Sequence, residues 1–167
     1  MVFDVESIGL YGEAFAVGWV VVNEAGTELG EGLLCCNPSE CEGTDANRAW
    51  VQNNVPEMPI NCNSREQLIN YFWDAWTTWA KLGAVLVADC GYPVETGFLK
   101  ECVMANHDVR EFTGPYPLHD LASILLACGR NPLTTNPRLP NELPHHNPLC
   151  DARQSKRLLM ECWSEIK

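Results

Sequence analysis

From Glu13 to Val22 every second residue is large and apolar, which predicts a strand carrying Phe15, Val17, Trp19 and Val21 on one face. Thr27 to Cys35 pairs back with it across the Ala25-Gly26 turn. An opening strand with Phe3, Asp4, Val5 and Glu6 precedes both, so the first stretch reads as an antiparallel meander. The period then changes. Ser64-Arg65-Glu66-Gln67 has the form of a capping box and starts a helix whose apolar side is Leu68, Phe72, Trp76 and Trp79, stopped at Gly83. Ala84 to Ala88 is a continuous apolar run, the pattern of a strand buried on both faces. Pro93 suits the first turn of a helix running to about Ala105. After a loop with a short strand over 106–118, Asp120 caps a helix through Ala127, which Gly129-Arg130-Asn131-Pro132 ends. The last helix, Leu149 to about Glu165, turns Ala152, Ser155, Leu159 and Cys162 inward.

Two long irregular stretches interrupt this order. Residues 37–63 carry Pro38, Pro56 and Pro59, with a short helix around Ala46 to Gln52, and Pro132 to Pro148 delivers His145 and His146. Loops of such length are usually functional or mobile. The element order βββαβα(β)αα, with no repeat and no linker, predicts one α/β domain over residues 1–167 with a mixed sheet.

At 167 residues the chain is long enough for a substantial core. It has no run of about eighteen apolar residues and no basic-then-apolar leader, so no membrane association is expected. With the first strand starting almost at Met1, no targeting segment is expected. Nine cysteines at irregular spacing, without a repeated Cys-x-x-Cys, point to reduced thiols and a cytoplasmic location. Cys35, Cys36, Cys41 and Cys62 are a weak zinc pattern, better read as buried or loop thiols. Eleven basic against 22 acidic residues give a formal net charge of −11. Such a surface repels a polyanion at long range, which disfavours extended binding to duplex.

The chemistry lies in three short motifs. Residues two apart on a strand share a face, so Asp4 and Glu6 present adjacent carboxylates. Like charges held that close favour a hard divalent cation between them. Read without its companions, this pair would be the exposed face of an edge strand. Far along the chain, His146 precedes Asp151 with four residues between them, just before a helix. Between the two, Glu95-Thr96-Gly97-Phe98-Leu99 follows the apolar run that ends at Asp89.

These motifs, in this order, resemble the DEDDh branch of the 3′-to-5′ exonucleases, the ribonuclease H-like group that includes the polymerase proofreading subunit, ribonuclease T and oligoribonuclease. That family opens with Phe-Asp-x-Glu-Thr-Thr-Gly-Leu, matched by Phe3 to Leu10 apart from Ser7 and Ile8. It closes with His, four residues, Asp and a helix, matched by His146 to Asp151. Its middle motif has Asp where this chain has Glu95, and Asp89 is an alternative ligand at that point. The resemblance implies a ribonuclease H-like mixed sheet of five or six strands flanked by helices. It also implies two Mg2+ or Mn2+ ions held by Asp4, Glu6, Glu95 and Asp151, with Asp4 bridging.

In such a site His146 would take the proton from the attacking water. The substrate would be the 3′ end of single-stranded RNA or DNA, and relatives are often homodimers. Ser7, Gly9, Leu10 and Tyr11, together with Trp50 of the long loop, are the candidates for holding the end nucleotides; core packing is the better account of Phe15. Two other classes compete: an inactive binding module that keeps the fold, and a thiol hydrolase using Cys150 with His146.

Overall fold

The computed structural model describes residues 1–166. A mixed five-stranded sheet is built from β1 (Val2–Ser7), β2 (Ala14–Val22), β3 (Glu28–Cys35), β4 (Val87–Ala88) and β5 (His119–Asp120), in the order β3-β2-β1-β4-β5. The β1–β2 and β2–β3 pairs are antiparallel, whereas β4 runs parallel to both β1 and β5. Six α-helices pack with it among the described residues: α1 (Asp45–Asn54), α2 (Arg65–Lys81), α3 (Thr96–Met104), α4 (His107–Arg110), α5 (Leu121–Ala127) and α6 (Pro148–Ile166). None of the helices is long and apolar enough to cross a membrane.

The meander forms as the alternation requires, with Phe15, Val17 and Val21 essentially inaccessible. The intervening Ala14, Ala16 and Val20 are buried as well, because both faces of β2 are covered. On one face, Phe3 and Val5 join Phe72 and Trp76 of α2 and Phe98 of α3 in the larger apolar cluster. Phe72 is its hub, with ring centroids 5.5 Å from Phe3 and 5.1 Å from Phe98. On the other face, Val2 and Val87 pack with Leu121 and Leu125 of α5 and Leu158 and Cys162 of α6.

Several boundaries differ from the sequence expectation. The apolar run Ala84–Ala88 yields only a two-residue strand, since pairing with β1 is confined to Val2↔Val87 and Phe3↔Ala88; Val85 is exposed. Pro93 does not open a regular helix. Gly91–Glu95 forms a wide π-type turn with extended backbone at Tyr92, and α3 proper begins at Thr96. The loop over 106–118 contains α4, and the short strand lies just beyond it. Leu158, rather than Leu159, is the buried leucine of α6. The cap of α2 also departs slightly. Ser64 Oγ accepts from the Gln67 N–H (3.2 Å), but the Gln67 side chain accepts from Asn63 N–H at 2.6 Å rather than from Ser64.

Candidate metal centre and active site

Strand alternation decides which face of β1 carries chemistry. Phe3 and Val5 point to the α2 side, so Asp4 and Glu6 point with Val2 to the side covered by α6. Asp4 pairs with Gly18 in the ladder, and a Cβ on Gly18 would lie 2.2 Å from the Leu149 nitrogen. The missing side chain therefore lets the first turn of α6 close down over the carboxylates. Asn147 Oδ1 accepts from Leu149 and Cys150 N–H at 3.1 and 3.3 Å, and Pro148 suits the first helical position. This fixed start puts Asp151 in the first turn of α6. His146, two residues before Pro148, has φ of 59°, a left-handed conformation that turns the chain into the helix.

Ligand atoms of Glu6, His146 and Asp151 lie within 4.8 Å of one another, and His146 Nδ1 is 3.5 Å from Glu6 Oε1. Asp4 and Glu95 lie outside that group but are buried and electrostatically coupled to it. Burial pushes the Asp4 carboxyl well up, and Asp151, Glu6, Glu95 and Asp89 push it further. Glu6 is pushed up to about 8 by burial, then by Asp151 and Glu95. Glu95 is likewise pushed up to about 8, burial again dominating, although its own N–H and that of Val5 favour the ionised form. Packed acids in this state either hold protons or require cations, and carboxylate oxygens with one imidazole nitrogen suit a divalent ion. The residues present fit such an ion.

Other candidates take distinct places. Asp89 leaves the end of β4 and accepts from Ser155 Oγ of α6 at 2.7 Å; burial raises its pKa, while Ser155 and Arg138 oppose the rise. Asp120 caps α5 through Ser123 N–H (2.9 Å) and accepts from Gly91 N–H at 2.8 Å. Ser7 Oγ donates to the Gly9 carbonyl at 2.7 Å, and Gly9 has φ of 77°. Beyond that turn Leu10 and Tyr11 are 62% and 80% exposed, whereas Phe15 is core. Trp50 of α1 stands edge-on to His146, with ring centroids 5.1 Å apart. His145 is exposed and lines a small polar cleft with Asp89 and Arg138.

The chain matches no protein-family model and no curated protein.

Three participants escaped the sequence. Arg138 donates to Asp151 and to the Glu142 carbonyl (2.9 Å), yet a lone basic residue in a Pro- and Asn-rich loop reads as solvated. Tyr92, 70% exposed, shares a hydrogen bond with Tyr11. Ser155 was legible only as an inward position of α6, not as the partner of Asp89. Two alternatives lose ground. Cys150 is buried, donates to the Leu143 carbonyl at 3.1 Å and has its pKa raised by burial, the setting of a structural thiol. Cys35, Cys36, Cys41 and Cys62 are buried and free, with Cys36 and Cys41 sulfurs 3.8 Å apart. Among the described residues they form no group close enough to hold an ion.

Proposed function

We propose that the chain is a metal-dependent 3′-to-5′ exonuclease of ribonuclease H-like architecture, releasing mononucleotides from single-stranded RNA or DNA. The observation that supports this most directly is the convergence of Glu6, His146 and Asp151, electrostatically coupled to buried Asp4 and Glu95. The sheet order β3-β2-β1-β4-β5, with its antiparallel meander joined to a parallel pair, is consistent with that architecture. Two divalent ions, when bound, would stabilise the attacking and leaving oxygens of a phosphodiester. Asp4, Glu6, Glu95 and Asp151 would hold them. His146, near the surface and beside Glu6, would accept the proton of the attacking water, and the Glu6 carboxylate would favour the resulting imidazolium. Exposed Leu10 and Tyr11, beyond the Gly9 turn that follows β1, and Trp50 beside His146 would offer apolar and ring surfaces to terminal bases.

The test is digestion of end-labelled single-stranded RNA and DNA with Mg2+, Mn2+ or chelator. Metal-dependent release of mononucleotides from a free 3′-hydroxyl is expected, with a 3′-phosphate blocking and blunt duplex a poor substrate. Undiminished cleavage in excess chelator would overturn the metal reading, and absence of any cleavage would favour an inactive binding module.

The middle acid is tested separately. Glu95 is buried against Val5 N–H and raises the pKa of both Asp4 and Glu6, whereas Asp89 is tied to Ser155. Glu95→Gln should therefore cut the rate by orders of magnitude and weaken Mn2+ binding, with Asp89→Asn milder and Glu95→Asp active. An inactive Asp89→Asn beside a normal Glu95→Gln would reassign the ligand to Asp89.

A further inference from the structure

The carboxylate cluster has a cation of its own. Arg138 sits in the loop before α6, and its Nη1 donates both to Asp151 Oδ1 and to the Glu142 carbonyl. Each side chain of the Arg138–Asp151 pair is only 13% exposed. The loop that presents it is braced rather than free. Glu142, 2% exposed, accepts from Leu139 N–H at 2.9 Å and from Arg157 at 2.7 and 2.9 Å, and Arg157 also donates to the Pro137 carbonyl at 2.9 Å. Arg157 and Asp151 belong to the same helix. The bracket thus fixes the base of the loop to α6 and aims Arg138 back at the helix's first turn.

This bracket does not make an optimal stability device. The Arg138 Nε is buried with no hydrogen-bond partner, an unsatisfied group that natural structures rarely keep without reason. A partly buried ion pair is in general weak evidence for stability, but removing one partner leaves the other charge uncompensated. Here the uncompensated charge would be Asp151, within reach of Glu6 and electrostatically coupled to Asp4.

We propose that Arg138 is a positioning residue acting as a built-in counter-ion, holding Asp151 and partly neutralising the cluster until a divalent cation takes its place there. This rests on the metal reading of the same site. Two consequences follow from one guanidinium. Without metal, Arg138 supports the fold; with metal, it competes for Asp151 and weakens binding. A competing charge of this kind is a coupling between two cations, for which about 5- to 150-fold in affinity is typical.

Thermal unfolding of the full chain with and without Mn2+, and calorimetric Mn2+ titration, read both consequences without any nuclease assay. Arg138→Gln is expected to melt lower than wild type in chelator, to bind Mn2+ at least about 5-fold more tightly, and so to show a larger Mn2+-induced rise in Tm. Arg138→Lys, which keeps the charge, should lie between the two. In an Asp151→Asn background, Arg138→Gln should change metal-free Tm little, since the charge it balanced is gone. Equal lowering of Tm with and without Mn2+, with unchanged Mn2+ affinity, would make Arg138 a structural residue only and overturn the proposal while leaving the metal reading intact. No Mn2+ effect on wild type would overturn both.

Discussion

Asp4→Asn is expected to abolish metal-dependent hydrolysis while raising the thermal stability of the metal-free protein. Asp4 is buried, and its pKa is raised by that burial and by four other carboxylates. Removing its charge would take a ligand from the proposed site, but it would also relieve Asp151, Glu6 and Glu95 of a buried like charge. The pH dependence carries the same sign. Glu6 and Glu95 rise from 4.5 to about 8 in the folded chain, so their contribution to stability is fully present below about 4.5 and is lost as pH rises through about 8. Each tenfold change in proton affinity corresponds to about 1.4 kcal/mol, so this loss is on the order of several kcal/mol across that window. Metal-free wild type should therefore melt lower at pH 8.5 than at pH 6, and Mn2+ should flatten the decline. For Asp4→Asn, relief of this buried repulsion is expected to raise stability at the alkaline end. At about 2–4 °C per kcal/mol for a chain of this size, differential scanning fluorimetry would read that gain as a rise in Tm. A mutant that melts lower than wild type in chelator at pH 8.5 would show that Asp4 is held by structural partners rather than strained by its neighbours.

His146→Asn should lower the rate by about 10²- to 10⁴-fold, the usual effect of losing a positioned base, while His145→Ala leaves it nearly unchanged. Asn is the informative replacement because it tolerates the left-handed backbone at φ of 59° that His146 adopts. The loop therefore keeps its entry into α6, and the loss reports on the imidazole rather than on folding. The geometry separates the two histidines: His146 Nδ1 lies 3.5 Å from Glu6, whereas His145 faces the cleft shared with Arg138. Unchanged Mn2+ affinity in His146→Asn, measured beside the rate, would distinguish a proton acceptor from a metal ligand. The reverse ranking of the two histidines in rate would transfer the role of base to His145.

The parts of this site that were legible in the sequence share one property: each is fixed by short-range geometry. Strand alternation puts Asp4 and Glu6 on one face whatever the rest of the chain does. The His146–Asp151 interval is a helix-entry distance, and Asp120 followed by an apolar run is a helix cap. Apolar periodicity likewise determined the meander and α2, because a strand or helix must bury its apolar side.

Tertiary structure alone decided how these pieces meet. β4 shrank to two residues because pairing with β1 extends only over Val2 and Phe3, a limit that the apolar run cannot express. Gly18 matters because α6 crosses β2 opposite Asp4, and the space required there is set by a helix some 130 residues away in the chain. Arg138 is a solvated loop residue by composition and a partly buried partner of Asp151 by position, a pairing held by the bracket of Glu142 and Arg157. Local spacing determined which side chains share a strand face or a helix entry. Their pKa shifts, their counter-ion and their closeness came from long-range packing, because burial and Coulomb interaction depend on distance through space rather than distance along the chain.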